Sequence, residues 1–225
     1  MKYSITQYGL PLDKSLYTLN KKTKTFSSKE NWLVLDFNSE SNWTFNTDFN
    51  CTFITGSYCT FITGSNCTFK TGYNCIFKTG YNCIFKTNSD CTFLTGSNCT
   101  FNTGSDCTFK TGSYCTFNTG SDCTFDTNSD CAFLTGSYCT FIAGSDCTFK
   151  TGSNCTFKTS SDCTFATGAN CTFTTESKCV VVRRDIYEVI KLKKGIKTTL
   201  NECGIKGYTE KEKPKRKNRN HRSRR

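Results

Sequence analysis

Cys99-Thr100-Phe101-Asn102-Thr103-Gly104-Ser105-Asp106 is one of a run of octapeptides that decides the fold. Seventeen cysteines stand eight residues apart from Cys51 to Cys179, and sixteen of them open a unit close to Cys-Thr-Phe-x-Thr-Gly-Ser-Asn/Asp. A short constant interval is how a chain encodes a solenoid. A helix is excluded, because at 3.6 residues per turn an eight-residue repeat drifts by roughly 80° each time and scatters Cys and Phe around the cylinder. In a strand, positions one and three (Cys and Phe) share one face, while position two, usually Thr, and the variable position four point the other way.

Positions five to eight read as a corner. Gly at position six predicts a left-handed turn residue there, and Asn or Asp at position eight predicts side-chain bonding to the backbone leaving the turn. Two units close a coil of sixteen residues with two opposed strands, and such pairing sets each Cys against a Phe across the interior. Three units leave a triangular centre that is harder to fill. The chain is therefore read as all-β, a right-handed parallel β-solenoid with two units per coil, covering residues 35–190. Residues 1–34 are expected to form an N-terminal cap, 191–210 a small C-terminal β cap, and 211–225 a disordered basic tail. Eight-residue counting extends the pattern to Leu35-x-Phe37 and Trp43-x-Phe45 upstream and to Tyr187-x-Val189 downstream. Position one then accepts Leu, Trp or Tyr in place of Cys, which suits a buried apolar site and not an obligatory disulfide or metal ligand.

The eighteen cysteines raise the question of compartment. The first residues, Met1-Lys2-Tyr3-Ser4-Ile5-Thr6-Gln7-Tyr8, hold no continuous apolar stretch, and no segment is long enough to span a membrane. The expectation is an intracellular, non-secreted chain, with reduced thiols stacked in two ladders. No Cys-x-x-Cys pair or Cys/His cluster is present, so no zinc site, other metal centre or cofactor is expected, although stacked thiols have chemical affinity for a soft ion such as Cu(I).

Charge is uneven along the chain. Residues 1–50 carry a net charge of +1, 51–182 carry −1, and 183–225 carry the whole excess of +11, with sixteen basic and five acidic groups. Within that last region, Ile186 to Leu192 alternates like a strand, Lys194-Gly195 offers a turn, and Ile196 to Leu200 reads as a second strand. The hairpin-like stretch from Leu16 to Phe26 around Lys21-Lys22 is assigned to the opposite cap. Caps matter because an open solenoid end invites end-to-end self-association. The last fifteen residues hold nine Lys or Arg and nothing apolar. Lys213, Lys215, Arg216, Lys217, Arg219, Arg222, Arg224 and Arg225 are the expected contacts to nucleic acid or another polyanion, without base specificity, since no base-reading module accompanies them.

Catalysis finds little support, since the single histidine, His221, lies in the tail and the recurring Asp residues are one per corner instead of a converging pair. A flat Thr array for ice binding is a minor reading, because position four interrupts it with Lys70, Lys78, Lys86 and Lys110. DNA mimicry needs a strongly acidic rod. The octapeptide run resembles the octapeptide-repeat proteins encoded by giant DNA viruses of amoebae, as do the flanks Ser27-Ser28-Lys29-Glu30-Asn31-Trp32-Leu33-Val34-Leu35-Asp36-Phe37 and Cys179-Val180-Val181-Val182-Arg183-Arg184-Asp185-Ile186-Tyr187-Glu188-Val189-Ile190. That resemblance implies a viral protein in host cytoplasm or nucleus and brings no catalytic residues. The expected function is a non-enzymatic structural or interaction scaffold with a protein partner on the rod surface and an acidic partner for the tail. A nucleic-acid-associated protein acting through the tail is the alternative.

Overall fold

The computed structural model describes residues 3–38, 40–177 and 179–211, in which the chain forms 26 strands and one 3-10 helix at Lys14–Leu16. The octapeptides yield one strand each, from β7 (Thr52–Ile54) to β22 (Thr172–Thr175). Before them come β1 (Ser4–Gln7), β2 (Leu10–Pro11), β3 (Tyr17–Asn20), β4 (Thr25–Ser28), β5 (Leu33–Asp36) and β6 (Thr44–Asn46); after them come β23 (Val180–Arg183), β24 (Glu188–Lys191), β25 (Lys197–Leu200) and β26 (Tyr208–Lys211). Successive units alternate between two sheets. Sheet I contains the odd-numbered strands from β5 to β23 and sheet II the even-numbered ones from β4 to β22, ten parallel strands in each. Within the repeat every residue pairs with the one sixteen further on, as Phe77 does with Phe93 and Phe101 with Phe117. The coil therefore holds two units, and the molecule is a parallel β-solenoid.

Both ends switch to antiparallel pairing. At the N-terminal end β1 lies on β5 and β3 on β4, the latter being the hairpin read around Lys21-Lys22. At the C-terminal end β24 lies on β23, β25 on β22, and β26 on β25. The turn read at Lys194-Gly195 is confirmed by Gly195, whose φ of 70° is open only to a few residue types.

Eight-residue counting fails at both borders. Leu35 pairs with Phe53, so it fills position three and not position one, and Leu33 supplies the other buried side chain of that strand. Ten residues separate Leu35 from the next position-three side chain, Phe45, and these two extra residues break the count. Trp43 does keep its place, preceding the Thr44–Thr60 pair as Cys59 does. Downstream, Tyr187 turns the chain back with φ 53° and is 88% exposed, so it is not a core residue.

The core also corrects the expected pairing across the coil. Opposed strands run in opposite directions, so position three meets position three and position one meets position five. Phe101 and Phe109, from facing sheets, pack edge to face with centroids 5.2 Å apart at 77°. Phe93 and Phe109, from neighbouring coils of one sheet, stack at 4.8 Å and 2°. Two columns of stacked rings thus interlock along the axis, and both ring geometries are favourable ones. Each Cys instead meets a position-five Thr across a corner, as Cys83 meets Thr79 and Cys99 meets Thr95.

The corner conformation differs from the sequence reading as well. Position eight carries the left-handed residue, with φ between 54° and 60° from Asn50 to Asn170. Asn and Asp are the non-glycine residues that tolerate this region best, which accounts for their recurrence there. Glycine at position six serves close approach. A Cβ on Gly112 would run into Ser97 Oγ of the preceding coil. That hydroxyl accepts the Ser113 N–H at 3.1 Å, so the absent side chain leaves room for a bond repeated from coil to coil.

Candidate functional surface

The solenoid leaves three kinds of surface: two sheet faces made of positions two and four, two edges made of the corners, and two capped ends. Position two gives each face a column of exposed Thr, interrupted by residues such as Ile76 and Ile84. Position-five Thr points inward: Thr103 is 8% exposed and its hydroxyl donates to the Gly104 carbonyl at 3.3 Å.

Charges sort by surface. Lys70, Lys86 and Lys150 stand on sheet I, and Lys78, Lys110 and Lys158 on sheet II. Asp90, Asp106 and Asp122 follow one another along one edge, and Asp130, Asp146 and Asp162 along the other, each in the left-handed corner position. Apart from Asp126, which stands on sheet II, the faces are basic and the edges acidic. This follows from chemistry: Lys tolerates a strand, whereas Asp suits a corner where φ is positive.

All seventeen repeat cysteines are buried, and Cys203 alone is exposed; none of the eighteen is in a disulfide. The Cys99 thiol donates to the Ser97 carbonyl at 3.5 Å and to the Gly80 carbonyl of the preceding coil at 3.8 Å, and the other units repeat this pattern. Hydrogen bonding to Cys67 and then to Cys99 holds the Cys83 thiol below its ordinary range, whereas the bonds of Cys99 to Cys115 and to Cys83 push Cys99 up. At the end of its column, Cys179 is pushed up by burial. Among the described residues no group of three or more His, Cys, Asp or Glu converges on a point that could hold a metal ion.

The C-terminal cap contains a feature that sequence reasoning missed. Arg183 is fully buried at the end of β23, paired with both carboxylate oxygens of Asp185, and donates to the carbonyls of Ile205 at 2.6 Å and Glu202 at 3.1 Å. Glu188 lies 3.7 Å from the same guanidinium and accepts the Gly207 N–H. Burial works against the charge of Asp185, yet the Arg183 pair and the Gly204 amide outweigh it and hold its carboxyl below the usual range. In the sequence, Arg183-Arg184-Asp185 reads as ordinary surface charge, because nothing local shows that the loop 201–207 returns over it.

An open, polar groove of about 620 Å³ lies beside the N-terminal cap, lined by Tyr17, Ser28, Glu30, Asn46 and Asp48 among others. No helix among the described residues is long and apolar enough to cross a membrane. The eight tail residues named from the sequence, Lys213 to Arg225, lie outside the described residues. Neither a family model, nor a characterised protein, nor a solved structure matches the chain.

Proposed function

We propose that this chain is a rigid, non-enzymatic repeat rod that presents regular side-chain arrays to a protein partner, and that its basic C-terminal segment engages an acidic one. One observation carries the reading: from Phe45 to Phe173 the coils succeed one another without an insertion, so each surface position recurs at the coil spacing over the whole stack. Each coil of such a stack contacts only its neighbours, and its surface is a linear ruler of evenly spaced sites. Catalytic β-helices, by contrast, carry their reactive groups on long insertions between coils. The acidic partner is supported by charge, since residues 183–225 hold sixteen basic and five acidic groups.

Retention on immobilised RNA tests the second half. The full chain is expected to elute at higher salt than a chain ending at Glu210, with a steeper dependence of affinity on salt, because each neutralised phosphate releases a counterion. Circular dichroism of the two chains is expected to agree. Equal retention would rule out the tail as the anchoring element, and with it the reading in which the tail is the working part and the rod a spacer.

A further inference from the structure

Sheet II presents to solvent a position-four column in which Ile62, Lys78, Leu94, Lys110, Asp126 and Ile142 follow one another on successive coils. All six are exposed, and the three apolar ones stand 45 to 47% out of the surface. The same column on sheet I, from Ile54 to Val182, carries Lys70, Lys86 and Lys150 and no acid. Facing copies of that sheet I column would offer no unlike-charge pair. Sheet II has the opposite property, because its order of side chains is self-complementary when reversed.

We propose that sheet II is the contact face of a homodimer in which two copies pack face to face with their rod axes antiparallel. The twofold axis runs along the strand direction, between Leu94 and Lys110. Such an axis reverses the rod and turns the face over while keeping the strand direction, so the position-four column of one copy meets that of the other. Ile62 then lies against Ile142 of the second copy and Lys78 against Asp126, and symmetry makes each contact twice. Leu94 receives the aliphatic stem of Lys110.

Register is selected by charge. A slide of one coil in one direction brings Lys78 against Lys110 and Asp126 against Ile62. One coil in the other direction sets Lys110 against its own symmetry mate and Asp126 against Leu94. Two coils that way pair Asp126 with Lys110 but oppose Lys78 to Lys158. Two coils in the first direction set Lys78 against Leu94 and Lys110 against Ile62 but leave Asp126 facing Asn46. Within two coils either way, only the proposed arrangement pairs Asp126 with a lysine and opposes no two lysines. Unlike-charge pairs set register in this way at the cost of wrong alignments.

Eight strands about 4.8 Å apart and about 10 Å wide present roughly 400 Å² per copy. That lies below the usual range for a stable interface, so the dimer is a weak, reversible one. It stands independently of the scaffold reading.

Sedimentation equilibrium of the full chain at about 5 to 200 µM and about 0.15 M salt tests it, where charges beyond about 8 Å are screened. The mass is expected to rise with concentration toward twice 25.3 kDa. Asp126→Lys is expected to weaken the dimer about tenfold or more, and Lys78→Asp combined with Asp126→Lys to restore it. Ile142→Lys serves as a second disrupting variant, and Lys150→Asp on sheet I is expected to change nothing. A monomer throughout the range, wild-type association in Asp126→Lys and Ile142→Lys, or a charge swap no tighter than Asp126→Lys alone would overturn the proposal.

Discussion

A single octapeptide uses glycine and asparagine for different physical reasons. Backbone freedom is needed at position eight, where Asn98 and Asp106 both have φ 58°. Space is needed at position six, where Gly112 passes over Ser97 Oγ. Gly112→Ala is therefore expected to destabilise the rod by about 1–3 kcal/mol, the ordinary cost of forcing a methyl into a filled contact. Combining it with Ser97→Gly should recover part of that loss, because the obstructing hydroxyl is gone while the Ser113 N–H loses its acceptor. Urea denaturation of Gly112→Ala, Ser97→Gly and the double variant measures both effects. The sequence shows that Gly and Asn recur, but not which of them is left-handed, since both tolerate the region and their positions lie two residues apart.

At the scale of an element, each strand contributes one ring to a column and one thiol to a ladder, and the outer positions bear little of the packing. Phe109→Ala is expected to cost about 3–5 kcal/mol, whereas Lys110→Ala should stay within about 0.5 kcal/mol. Comparable shifts in the two urea midpoints would contradict the assignment of inner and outer faces. The end elements depend on a different interaction. Asp185 is held below its ordinary pKa in the folded chain, so its contribution is fully present above the unfolded value of about 3.9 and is lost as pH falls through the folded one. Amide protection in β24 and β25 is thus expected to fall below about pH 4, before that of the central coils. In Asp185→Asn the acid step should vanish and the cap should be weaker at neutral pH, because Arg183 stays buried while its charge partner is lost.

For the whole molecule, burial of the ladders makes a count. One thiol, that of Cys203, is expected to react with an aromatic disulfide reagent in the native protein, and eighteen after denaturation. A native count well above one would place ladder thiols in solvent. The inner place of Cys and Phe, the outer place of positions two and four, and the coil of two units were all legible in the chain, because strand alternation and an eight-residue period are local properties. Tertiary structure alone decided that Phe meets Phe and Cys meets Thr, that Leu33 and Leu35 replace Cys and Phe where the count breaks, and that Arg183 is enclosed by a returning loop. Those facts depend on which residues the corners and the coils bring together in space, and a period read along the backbone carries no record of what it faces across the coil.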